Sequence, residues 1–387
     1  MKGKKLLSVI LCCLFLISIP AGSGIGNANT PQVLRIGSLQ ETSGPNMSTG
    51  SAALAGYMFA VETINAAGGV EIGGTTYILE LIQYDTMSRA DMAQSLAERL
   101  LFSYEVDVIL APSSSPGAIS VSLVTEPEER LLLVSNAGAA SLVDGTNKFL
   151  FNNTPPVNLG FDAVVQYFVD TYGAERFAVF ARNDDFGRTA IASIDESVKS
   201  RGGEIVLLEN HTPGTSDFYA LLTRAQALNA DAFLVAAIME DGVPFVRQAR
   251  ELGVTVPIAG PLIWSSAAFI AAAGEAMEGI YSYSNAVTSD TERLIAYRTA
   301  FAATMGASHQ AQDATAFDLI HILMEAMRQV GSTTDTVAIR DALLNIEYEG
   351  ILGMYRFNPR GQAYVQININ TVRDGRVVVV QEFPPAF

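Results

Sequence analysis

Short apolar runs alternate with stretches of helical period from residue 33 to residue 260, and this rhythm limits what the chain can fold into. "VLRIGSL" (33–39), "TYILELIQYD" (76–85), "VDVILAP" (106–112) and "LLLVSN" (131–136) read as strands. Between them, residues 46–66, "ADMAQSLAERLLFSY" and 117–126 carry apolar positions at helical spacing. Near-continuous apolar strands separated by helices are the pattern of parallel βαβ units whose sheet is covered on both faces. The pattern pauses at "FNNTPP" (151–156) and then restarts. A helix over 157–172 is followed by strands "RFAVFARND", "EIVLLENH", "DAFLVAAI" and "VPIAG", again with helices between them. Two helices near 290–305 and 313–330 and a shorter one over 335–344 follow. "MYRFNP", "AYVQININTV" and "RVVVVQEF" make an antiparallel ending with turns at "NPRG" and "RDG". That tail has too few strands for a third domain and is expected to complete the second. The glycine-rich "AAGGVEIGG" (66–74) reads as a break.

The first residues follow a different logic. Lys2, Lys4 and Lys5 precede the apolar run "LLSVILCCLFLISI" and the small, polar "PAGSGIGNANT". This is the layout of a signal peptide over residues 1–28, with an apolar run short for a membrane span. Both cysteines, Cys12 and Cys13, lie inside it, so the exported chain would hold no disulfide, thiol nucleophile or cysteine metal site. Lys and Arg total 24 against 40 Asp and Glu, a net charge of −16. Such acidity argues against a nucleic-acid partner, which needs a basic surface, and against a protein held on anionic lipid.

Catalytic signatures are missing. The sequence has no HExxH, Walker glycine loop or GxSxG elbow, and His211, His309 and His321 are scattered. "NDD" (183–185) lacks the glycine and distal glutamate of a calcium loop. No metal and no cofactor are expected. An enzyme on this scaffold is the weaker class of function, and turnover of ligand would reveal it.

"ILAPSSSPGA" (109–118) is where a buried strand gives way to a helix. Ser115 before Pro116 reads as a helix cap. Ser113 and Ser114 are left at the strand's C-terminal end, where open α/β sheets bind ligands and a helix N-terminus favours an anion.

These segments together resemble the branched-chain amino-acid type of periplasmic solute-binding proteins, the receptors of ABC importers. The resemblance runs from about 33 to 380 and rests on "IGSLQETSGP", "ETINAAGGV", "VDVILAPSSS", "LLLVSNAGA", "FAVFARNDDFGR", "GGEIV", "TPGTSDFYALLTRAQALNADAFLV", "RQARELGV", "GEAMEGIY" and "AFDLIHILMEAM" in order. It implies an α/β protein of two doubly wound parallel-sheet lobes joined by a three-strand hinge, a Venus flytrap of the type I periplasmic-binding-protein kind. Crossings near 153, 283 and 350 would give lobe I as 33–153 plus 284–350, and lobe II as 154–283 plus 351–387. Ligand would bind between the lobes, and the closed monomer would dock on ABC permease subunits in the membrane. A sensory receptor subunit of the same fold is the alternative partner reading.

The resemblance also implies site residues. Ser113 takes the position that holds a ligand carboxylate, with Ser114 beside it. Ala137 matches a backbone contact. Ala139 stands where the family usually has a threonine, so one hydroxyl is missing, and Ser141 is its nearest substitute. Phe186 keeps a ring where a tyrosine is common. Leu262 replaces the carboxylate that holds a ligand ammonium, with Trp264 two residues on. Asp185, Glu240 or Asp313 would have to supply an acid from another loop, and Thr49 on the first helix joins the set. Without such an acid, Phe186, Leu262 and Trp264 suit an aromatic or aliphatic carboxylate that has no amino group, since an unpaired buried ammonium is costly.

Overall fold

The computed structural model describes residues 30–154, 156–284, 291–307 and 309–386. The expected signal peptide over 1–28 lies outside the described residues. Among them, no helix is long and apolar enough to cross a membrane.

The first series is β1 (Gln32–Gln40), α1 (Met47–Ala66), β2 (Val70–Ile72), β3 (Thr75–Asp85), α2 (Ala90–Ser103), β4 (Val108–Leu110), α3 (Ser115–Thr125), β5 (Leu131–Val134) and β6 (Leu150–Asn152). The second is α4 (Val157–Tyr172), β7 (Arg176–Arg182), α5 (Asp185–Ser200), β8 (Glu204–His211), α6 (Tyr219–Ala227), β9 (Ala232–Ala236), α7 (Met239–Glu251), β10 (Ile258–Gly260), α8 (Ala267–Ala273) and β11 (Tyr281–Ser284). Then come α9 (Glu292–Met305), α10 (Ala311–Val330), α11 (Thr336–Leu344), the small hairpin β12 (Tyr348–Gly350) and β13 (Gly353–Tyr355), and the long hairpin β14 (Val365–Arg373) and β15 (Arg376–Ala386).

The first sheet has the order β2-β3-β1-β4-β5-β6, parallel except for β2. The second has the order β15-β14-β11-β10-β9-β7-β8, parallel from β8 to β11 and closed by the antiparallel tail. The tail therefore completes the second sheet, as its few strands predict. Strand order reverses at β1 in one sheet and at β7 in the other. The helices that follow neighbouring strands diverge there, which opens a crevice at the strands' C-terminal ends. The chain has two such crevices, ending at Gln40 and Arg182.

The strands are apolar because both faces are covered: Val108–Leu110 and Leu131–Val134 are wholly buried. Helix α1 lies along α10 at a distance only glycine permits. A Cβ on Gly56 would stand 2.0 Å from the Asp313 carbonyl oxygen. The glycine-rich 66–74 segment holds a strand that its composition hides. Gly68, Gly69, Gly73 and Gly74 all have positive φ, and the short antiparallel β2 fits between those two turns.

Helix α10 also anchors the small hairpin. The Asp318 carboxylate accepts from the Ile351 amide at 2.8 Å and the Leu352 amide at 3.2 Å. Burial raises its pKa from 3.8 to about 6, against the pull of those amides. The folded chain therefore holds this proton more tightly than the unfolded chain. The resulting stability is full below 3.8 and is lost as pH rises through 6, a contribution of about 3 kcal/mol. A carboxyl-detected NMR titration is expected to give a midpoint near 6 for Asp318; a midpoint near the ordinary value would refute the assignment.

Candidate functional site

The two crevices face each other across one cavity. From the first lobe, the turn before α3 contributes Ser113, Ser114 and Ser115, and the N-terminal end of α1 contributes Asn46 and Thr49. From the second come Arg182 at the end of β7, Asp184 and Phe186 at the start of α5, and Leu262 in the 3₁₀ turn after β10. The cavity measures about 80 Å³, against roughly 10–15 Å³ for a single water. It suits a small molecule. Phe186, Ile238, Leu262 and Tyr283 give it an apolar wall, and Asn136 and Gln312 a polar one.

Of the residues expected from sequence, Thr49, Ser113, Ser114, Phe186 and Leu262 line this cavity together. Ala137 and Ala139 are packed in the core, each 1% exposed, and their flanking Asn136 and Gly138 meet the cavity instead. The reason is local: Asn136 has φ 70, and that left-handed turn carries the chain past the cavity. Ala137 offers its carbonyl to Asn152 Nδ2 at 2.9 Å, and the Ala139 amide donates to Ser115 Oγ at 3.1 Å. Ser115 is thus a brace between loops. The cap of α3 is Ser114, whose Oγ accepts from the Gly117 amide at 3.3 Å.

Trp264 does not reach the cavity. The 3₁₀ turn rotates its indole into the core of the second lobe, where Nε1 donates to the Ala237 carbonyl at 2.8 Å and the ring stacks on Phe269. Asp185 pairs with Arg188 on its own helix. Asp313 is buried, accepting from the Tyr297 hydroxyl at 2.8 Å and bonded to His309 Nδ1 at 2.6 Å. The acid that does line the cavity is Asp184, whose Oδ1 caps α5 through the Gly187 amide at 2.9 Å.

Arg182 is the cation of the site. Its side chain is 3% exposed and lies between Asp184 Oδ2 at 3.2 Å and Asp241 Oδ2 at 3.6 Å. Asp241 is fully buried; it also bonds His211 Nε2 at 2.9 Å and accepts from the Ile238 amide at 2.9 Å. Sequence reading passed over Arg182 as the end of "RFAVFAR", yet a charge closing an otherwise apolar strand was the available signal.

The lobes touch beside the cavity. Arg182 Nη2 donates to Asn46 Oδ1 at 2.8 Å, and the Ser48 amide donates to Glu240 Oε1 at 3.1 Å. Asn46 is the N-cap of α1 but makes no capping bond with its own side chain. An acid of the second lobe thus satisfies an amide in the first turn of α1, where a helix end favours an anion. Glu240 is a lobe-to-lobe contact and not part of the cavity lining.

Residues 33–376 match the periplasmic binding protein family. The Leu/Ile/Val-binding protein of Escherichia coli (strain K12) is 23% identical over 282 residues, 72% of this chain and 72% of the relative. A solved solute-binding protein of an R. palustris ABC transporter, in complex with benzoate, aligns with TM-score 0.83 at 18% identity, over 92% of this chain and 97% of that one. The branched-chain amino acid transporter substrate-binding protein of Streptococcus pneumoniae, in complex with isoleucine, aligns with TM-score 0.80 at 25% identity, over 90% and 100%. With two doubly wound lobes around one small cavity and a match over nearly its whole described length, the chain belongs to the periplasmic binding protein family.

Proposed function

We propose that the chain is the exported substrate-binding protein of an ABC importer. Its ligand is a branched-chain amino acid or a related small carboxylate, enclosed between the lobes and presented to the permease. The observation that carries this reading is a cavity at which both strand-order reversals meet, lined from both lobes, with hydrogen bonds between the lobes beside it. Relatives that bind leucine, isoleucine and valine support it.

One feature favours a ligand without an amino group. The lining acid, Asp184, is already engaged by Arg182 and by the Gly187 amide, and Leu262 leaves its turn without a carboxylate. The R. palustris relative solved with benzoate has this kind of ligand.

The hinge we propose has three crossings, near 153, near 283 and after the small hairpin. Asp318 ties that hairpin to α10, which supports a third crossing after it, between 356 and 364, in place of one near 350. A thermal-shift screen of aliphatic amino acids, aromatic acids and short fatty acids tests the function, because a ligand bound only by the folded chain raises its melting temperature. At least one small carboxylate is expected to do so; if sugars or peptides alone stabilise the chain, the reading fails.

A further inference from the structure

Two amides of the serine turn on lobe I, those of Ser113 and Ser114, already have a carboxylate partner. Glu41, the first residue after β1, is fully buried. Its Oε2 accepts from the Ser113 amide at 2.9 Å and its Oε1 from the Ser114 amide at 3.1 Å. The Ser113 hydroxyl donates to Gln40 Oε1 at 3.0 Å, and Gln40 Nε2 donates to the Ala111 carbonyl at 2.6 Å. Ser114 Oγ caps Gly117, and Pro116 has no N–H to offer. The chain is built to admit Glu41 here. A Cβ on Gly50 would stand 2.3 Å from the Glu41 carbonyl oxygen, so α1 closes over this residue only because position 50 is glycine.

We propose that Glu41 permanently fills the anion site made by the Ser113 and Ser114 amides, so the ligand turns a non-anionic end to the Ser113–Ser115 turn. The proposal rests on the reading of the cavity as the site of a small carboxylate. A second carboxylate at the serine turn would face Glu41, whose oxygens already hold the Ser113 and Ser114 amides, and like charges in a closed site repel strongly. Burial raises the Glu41 carboxyl above its ordinary range, and hydrogen bonds from Ser114 and Ser113 oppose that shift. Two N–H donors aimed at its two oxygens suit the ionised form.

Chemical rescue tests this without knowledge of the natural ligand. Glu41→Gly is expected to melt below the wild type. Sodium acetate should then raise its melting temperature by about 3 °C relative to sodium chloride at equal ionic strength. Wild type and Glu41→Gln, in which the side chain still fills the space, should gain clearly less, since any acetate they take up binds elsewhere in the cavity. Acetate stabilising the wild type as much as the glycine variant would overturn the proposal, as would a folded glycine variant that ignores acetate. If Glu41→Gly does not fold, Glu41→Ala is read in the same way: a larger acetate gain than in wild type and Glu41→Gln supports the proposal, and an equal gain overturns it. These readouts do not depend on the ligand screen. Successful rescue beside a failed screen would sink the proposed function while leaving the filled subsite standing.

Discussion

Replacing Arg182 with alanine is expected to destabilise the chain by about 3–5 kcal/mol, the usual cost of removing one partner from a buried ion pair. The guanidinium stands between Asp184 and the fully buried Asp241. Without it, two carboxylates share a water-poor site beside His211. The loss should also be felt between the lobes. Asn46 Oδ1 loses its donor, and the contact beside the cavity falls back on Glu240 and the Ser48 amide. Denaturant unfolding measures the first effect, and the radius of gyration from small-angle scattering, expected to rise, measures the second. Arg182→Ala combined with Asp241→Ala should cost less than the two single changes added, because the second change removes the charge the first leaves unpaired. A single-variant loss below about 1 kcal/mol would mean that water reaches this cluster and that the arginine is not structural.

How much of this was legible depends on which physical signal each part leaves in the sequence. The long strands and helices were readable because parallel strands buried on both faces are apolar without interruption, and because a helix shows its period over several turns. β2 and β6 were not. Each spans three residues, one hidden among glycines and the other in the pause before "NTPP". Thr49, Ser113, Phe186 and Leu262, named from the sequence, line the cavity; for Ser113, strand-end position and family resemblance point to the same residue. Glu41 left no such signal: an acid in "QETSGP" looks like a solvated turn. Its role appears only when β1 and β4, far apart in sequence, pair and bring it under the serine amides. That Asn136 and Gly138, and not Ala137 and Ala139, line the cavity follows from a backbone turn, and the left-handed Asn136 could not be read from composition.

Trp264 divides a core role from a ligand role most sharply. Trp264→Ala is expected to cost about 3–5 kcal/mol in stability, the range for deleting a large buried aromatic, with little change in affinity for any ligand that the folded variant still binds. The indole is fully buried, and its bed is made by two glycines. A Cβ on Gly260 would come within 2.1 Å of the ring, and one on Gly242 within 2.7 Å of Nε1. Alanine leaves that bed empty, strips Phe269 of its stacked neighbour and leaves the buried Ala237 carbonyl without its indole donor. Leu262, two residues earlier, stands on the other side of the same 3₁₀ turn and walls the cavity. Leu262→Ala should therefore do the reverse, weakening the ligand while moving stability less. Calorimetric titration of both variants, paired with their unfolding curves, separates the two roles. If Trp264→Ala loses affinity in step with Leu262→Ala while remaining as stable as the wild type, the ring contacts the ligand and the cavity wall is assigned to the wrong face of the turn.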